Sequence, residues 1–159
     1  MTNHNSLYNL IPYEGGASFN TAPGHLALCA LWKTGTKPSL SSFCYVELGC
    51  GNGANLLALA FYHKNATFIG IDNAESELNR AQKAAEGLSL NNIQFLHEDV
   101  RQLNDVSLLP CDYIVAHGLY SWVRADVRSA ILSFCQQRLS PSGLALSPVG
   151  PPENSSEKP

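Results

Sequence analysis

The segment Val46-Glu47-Leu48-Gly49-Cys50-Gly51-Asn52-Gly53-Ala54-Asn55 sits between two apolar runs, Phe43 to Leu48 and Asn55 to Tyr62. The first run is short and suits a buried strand; the second is longer and suits a helix. Glycines at alternate positions between them let the backbone bend sharply and come close to a ligand. Free N–H groups at the start of the helix that follows favour a negative or polar ligand group. Strand, glycine turn and helix in that order constrain the chain to an open α/β sheet. Its ligand would lie at the carboxyl end of a first parallel strand.

The remaining sequence keeps the same alternation. His25 to Lys33 reads as a helix led by Pro23 and ended near Gly35. Thr67 to Ile71 reads as a second strand and Asn73 to Glu86 as a helix, with Leu78, Ala81 and Ala85 on one face and Gly87 as its stop. Ile93 to Leu96 and Tyr113 to Ala116 read as further strands. Val127 to Leu139 reads as an amphipathic helix with Val127, Ile131 and Phe134 inward, and Leu144 to Leu146 as the start of a fifth strand. Such alternation implies parallel pairing with crossover helices. There is no internal repeat.

Two ligands compete for the turn. Gly49-x-Gly51-x-x-Ala54 fits the dinucleotide fingerprint, with Asp72 near the spacing of a ribose-binding carboxylate. An NAD-binding oxidoreductase is therefore a real alternative. The same letters also spell Glu-x-Gly-x-Gly-x-Gly from Glu47 to Gly53. Glu47 discriminates: a carboxylate at the end of a buried strand is costly without a partner, and a dinucleotide turn offers no cation there. A plainer reading makes Glu47 a loop carboxylate capping a neighbouring backbone group. Asp72 can accept from ribose hydroxyls under either ligand, and Asp72-x-x-Glu75 is also a capping box.

The glycine turn resembles the first motif of class I S-adenosylmethionine-dependent methyltransferases. A second stretch sharpens the resemblance. The turn Glu-Leu-Gly-Cys-Gly-x-Gly-x-Asn, Glu47 to Asn55, together with Asp-Tyr-Ile-x-x-His-Gly-x-Tyr-Ser-Trp-Val, Asp112 to Val123, resembles bacterial methyltransferases that carry a separate regulatory domain. That family includes protein-lysine methyltransferases. The similarity runs from about Tyr8 to Gly143 and takes in Ile11-Pro12-Tyr13 and Phe19 to Leu26, a region that helps close the family's cofactor site. Ala22 departs from it, standing where the family places a histidine.

The resemblance implies a Rossmann-like three-layer α/β sandwich with a mostly parallel sheet, and S-adenosylmethionine as cofactor. It implies cofactor contacts from Glu47, Gly49, Cys50, Gly51, Gly53 and Asn55 in the turn, with Glu47 toward the methionine end. Asp72 and Asn73 would serve the ribose, and Asp99 with the Val100 backbone the adenine. His117 would emerge at the edge of the strand Tyr113 to Ala116, facing the transfer region with Tyr120; these are the candidate catalytic residues, and the resemblance makes His117 a cofactor contact as well. Tyr120 and Trp122 could line a pocket, or Trp122 could be core and His117 a structural histidine. Residues 1–42 read as a helical lead-in, 43–147 as the cofactor-binding core and 148–159 as a disordered tail rich in Pro, Ser and charge. The family's last strands find no counterpart after Leu146. The sheet would then be incomplete at its C-terminal strands, and a non-catalytic S-adenosylmethionine-binding module is an alternative function. An exposed sheet edge would invite dimerisation.

Composition narrows the partners. With 159 residues the chain fits one domain. A net charge of −3 and no dense basic run argue against nucleic acid or an anionic membrane surface as partner; a protein substrate is what the resemblance implies. Met1 to Asn9 has no basic-then-apolar signal, and no run is long enough to span a bilayer. Cys29, Cys44, Cys50, Cys111 and Cys135 lack the close pairs of a metal site and mostly lie in apolar contexts. They read as reduced thiols of a cytoplasmic protein, with no metal.

Overall fold

The computed structural model describes residues 16–105, 110–120 and 123–147. Ile11-Pro12-Tyr13, Trp122 and the tail from Pro148 lie outside them. Helix α1, Pro23–Thr34, begins with Pro23 in its first turn and ends on Gly35, whose φ of 75° and N–H to the Leu31 carbonyl make a left-handed stop. There follow β1, Cys44–Leu48; α2, Ala54–Tyr62; β2, Thr67–Asp72; α3, Glu75–Gly87; β3, Ile93–His97; β4, Cys111–Val115; α4, Ala125–Arg138; and β5, Leu139–Leu146.

The strands form one sheet in the order β3-β2-β1-β4-β5, with every pair parallel. This is the Rossmann-like α/β class anticipated above. All five residues of β1 are buried, as expected for a central parallel strand covered on both faces. Alternation along the strand divides them between two cores. Val46 and Leu48 join Ile69, Ile71 and Ile114 against Ile131 and Phe134 of α4. Tyr45 joins Phe68, Tyr113 and Val115 against Leu56 and Ala60 of α2 and Leu26 of α1. Those two cores on either side of the sheet make three layers.

Strand order reverses at β1: β2 and β3 follow on one side, β4 and β5 on the other. The carboxyl end of β1 is thus the crevice where such sheets take ligands. The glycine turn occupies it.

Two boundaries differ from the sequence reading. Helix α3 starts at Glu75 with Ala74 as its cap, so Asp72 stands ahead of the cap and no Asp72–Glu75 capping box forms. Asp72 instead takes the Ala74 N–H on Oδ1 at 2.9 Å, closing a turn. Strand β5 begins at Leu139, directly after α4, rather than at Leu144. Its extra residues pair with β4 through a register shift between Cys111 and Tyr113. Asp112 holds the shift: Oδ1 accepts from the Ser140 hydroxyl at 3.0 Å and Oδ2 from the Cys44 N–H at 2.9 Å, joining β4 to both neighbours.

Candidate functional site

The turn is anchored to β2. Gly49 N–H and Cys50 N–H both donate to the Ile71 carbonyl, at 2.8 and 3.3 Å, and Gly53 N–H closes onto the Cys50 carbonyl at 3.0 Å. Gly51 N–H donates to Asp72 Oδ2 at 2.8 Å. The ribose candidate is therefore bonded to the turn itself, with one N–H on each carboxylate oxygen and lone pairs to spare on both. Gly53 has φ of 70° and caps α2; a Cβ there would lie 2.8 Å from the Phe95 ring. Glycine is the residue that fits both the conformation and the space.

Glu47 lies across from Gly70 on β2 and Val115 on β4. It is 6% exposed. Burial pushes its carboxyl up to about 7, and the Asn55 amide holds it from rising further. That amide donates to Oε2 at 3.0 Å. No salt bridge reaches Glu47 among the described residues, so its charge has an amide for company and no cation.

Asn55 is buried in the first turn of α2. Its Oδ1 accepts from the Ser18 N–H at 3.0 Å and lies 3.1 Å from the Thr21 hydroxyl. The same hydroxyl is 2.8 Å from the Ser18 carbonyl, so its proton is shared. Tyr45 on β1 donates its hydroxyl to the Thr21 carbonyl at 3.0 Å. Phe19–Thr21, a single 3-10 turn ahead of α1, is thereby tied to the back of the glycine turn. Sequence reading placed Asn55 in the motif and Phe19 to Leu26 near the site, but did not join them. The partners stand 34 and 37 residues apart, beyond the reach of any local pattern.

Along the edge, Glu98 N–H donates to the Asp72 carbonyl at 3.1 Å, which sets β3's end beside β2's. The Asn73 carbonyl lies 3.1 Å from His97 Nε2, which donates to it when protonated. Asp99 follows. Its carboxylate is gripped by the Arg101 guanidinium and accepts the Arg101 N–H at 2.9 Å, and that arginine holds it below the usual carboxylate range. Arg101 was not foreseen. Val100 begins a 3-10 segment, Val100–Asp105, and packs against the core. Beyond β4, His117 is exposed and Tyr120 half-buried against the α4 side of the sheet. Leu119 between them presses on the glycine turn, within 3.3 Å of where a Gly49 Cβ would sit. The structure thus gathers the turn, Asp72, Asp99 and the His117–Tyr120 loop at one sheet edge. Cys50 is half-buried, and burial with the nearby Asp72 and Glu47 charges pushes its thiol up, which disfavours the thiolate. No cluster of metal-ligating side chains occurs among the described residues.

Residues 46–143 match the model of a family described as a methyltransferase domain. The chain is 35% identical over 145 residues to the uncharacterized protein RP789 of Rickettsia prowazekii, covering 91% of this chain and 26% of that one. It is 29% identical over 138 residues to RP028 of the same organism, covering 87% and 55%. It thus spans between about a quarter and about half the length of these curated relatives. Among solved structures, PKMT2 from Rickettsia typhi in complex with AdoHcy matches with a TM-score of 0.78 and 30% identity, over 84% of this chain and 26% of that one.

Proposed function

The chain belongs to the methyltransferase domain family, and from that premise we propose that it binds S-adenosylmethionine at the carboxyl edge of β1 to β4 and serves methyl transfer to a protein amine, lysine by resemblance. One observation carries the reading: a buried carboxylate, Glu47, without a cationic partner among the described residues, directly under the glycine turn. A ligand ammonium would complete that site, and the methionine end of the cofactor has one. A dinucleotide has none, which sets the oxidoreductase alternative aside. AdoHcy in the PKMT2 structure supports the same ligand class.

The residues present fit the cofactor. Glu47 would hold the ammonium, and the Asp72 lone pairs left free by Gly51 and Ala74 would take the ribose hydroxyls. Asp99 would accept the adenine amino group alongside Arg101, with the Val100 backbone on the ring. Asn73 and the turn backbone at Gly49, Cys50 and Gly53 complete the cradle. Bound S-adenosylmethionine supplies an activated methyl group, so the protein's task is chiefly alignment. An amine acceptor must shed its proton first. His117 or Tyr120, at the β4 end, would take it or hold the amine in line. Five free thiols among the described residues support a reducing, cytoplasmic setting. No helix among them is long and apolar enough to cross a membrane.

Calorimetric titration with S-adenosylhomocysteine, NAD and NADP tests the reading on wild type and Asp72→Ala. The expected result is binding of S-adenosylhomocysteine alone, weakened at least about tenfold by the substitution. Binding of NAD or NADP in its place would overturn it.

A further inference from the structure

Asn55 faces two ways. Its amide nitrogen holds Glu47, and its amide oxygen holds the Ser18 N–H and the Thr21 hydroxyl. The side chain is buried, and Tyr45 fixes the far end of the same group through the Thr21 carbonyl. A primary amide cannot serve both sides independently: rotating to follow Glu47 moves the oxygen that Ser18 and Thr21 depend on. We infer that Asn55 is a positioning residue that couples occupation of Glu47 by the cofactor's ammonium to the order of the Ser18–Thr21 segment ahead of α1. This coupling rests on the cofactor reading above. Filling the methionine end would then tighten the lead-in turn against the site, and loosening that turn would weaken the methionine end selectively.

The electrostatics agree. The strand neighbours of Glu47 are Gly70 and Val115, which carry no charge. The titratable groups facing it are the Tyr45 hydroxyl on its own strand and the Cys50 thiol in the turn, both driven far up by burial and by the Glu47 charge, with Asp72 beyond Cys50. α2 and the lead-in turn contribute Asn55, Ser18 and Thr21, which do not titrate near neutrality. Glu47 is thus the group left to change charge near pH 7 when a cation arrives.

The test compares two probes on the full 159-residue chain. S-adenosylhomocysteine carries the ammonium; methylthioadenosine carries the nucleoside without it. In wild type, S-adenosylhomocysteine should slow hydrogen exchange of the amides of 16–22 by about tenfold and release about half a proton at pH 7. Methylthioadenosine should do neither. Asn55→Ala should lose the protection and weaken S-adenosylhomocysteine about tenfold, with methylthioadenosine affinity kept within about twofold. Should Asn55→Ala not fold, Thr21→Val, which keeps the shape and removes the hydroxyl, carries the same test from the other side. Equal protection by both probes, or variants that bind and protect as wild type does, overturns the coupling alone. Wild type that binds neither probe overturns the cofactor reading and the coupling together.

Discussion

Burial lifts the Glu47 carboxyl to about 7 from an ordinary 4.5, and that difference has a sign. Well below pH 4.5 the group is neutral in folded and unfolded chains alike, and costs nothing. As pH rises the unfolded chain ionises first, so the folded state loses stability up to pH 7; beyond that the full penalty stands, up to about 3 kcal/mol. Glu47→Gln removes the penalty. The variant should match wild type in urea unfolding at about pH 3.5 and exceed it at about pH 8 by as much as about 3 kcal/mol. It should also bind S-adenosylhomocysteine at least about 100-fold more weakly, because the ammonium loses its carboxylate. A variant no more stable than wild type at pH 8 would show that Glu47 is not strained by burial. At this scale the sequence singled out Glu47, since a lone Glu at the end of an apolar strand is conspicuous. It placed Asn55 in the motif but not its partners Ser18 and Thr21, and it did not single out Arg101, because those contacts are supplied by folding.

Elements are placed by close contacts as much as by pattern. A Cβ on Gly70 of β2 would lie 2.7 Å from the Phe95 ring, 2.8 Å from Cys50 Sγ and 2.9 Å from Leu56. So β2, β3, α2 and the glycine turn all converge on one missing side chain. Gly70→Ala should cost about 1–3 kcal/mol in urea unfolding through overpacking, and Phe95→Leu in the same chain should recover part of it, a coupling that independent sites would not show. Strict additivity of the two changes would refute the contact argument. Strands β1 to β4 and the helices were legible within a few residues because each carries a clean apolar pattern. The start of β5 was not. Leu139-Ser140-Pro141-Ser142-Gly143 has turn-like composition, yet Asp112 draws Ser140 onto β4. Gly143 then passes so near that its Cβ would stand 2.8 Å from the Cys111 carbonyl. Both are cross-strand effects. The start of α3 was misread for a similar reason, since Asp72 is recruited by Gly51 from another element.

For the molecule as a whole, the reversal of strand order at β1 divides the carboxyl edge into two sides. The carboxylates suited to the nucleoside, Asp72 and Asp99, follow β2 and β3 on one side. His117 and Tyr120 follow β4 on the other, with Leu119 against Gly49 between them. Opposite sides of one crevice can hold two reactants in register, which is most of what methyl transfer to an amine demands. The division predicts that lesions separate by side. His117→Ala combined with Tyr120→Phe should leave S-adenosylhomocysteine affinity within about threefold of wild type, because neither change touches Glu47, Asp72 or Asp99. Methyl transfer to protein acceptors, followed with radiolabelled cofactor, should fall by about 100-fold, the scale of a lost proton-transfer or aligning group. Unchanged transfer in the double variant would remove both residues from the chemistry and leave alignment to the cradle alone. Lost cofactor binding with lost transfer would instead assign the β4 loop to the cofactor, as Leu119's contact with the turn makes physically reasonable. The two results are separable because binding and transfer are read independently, on one folded chain.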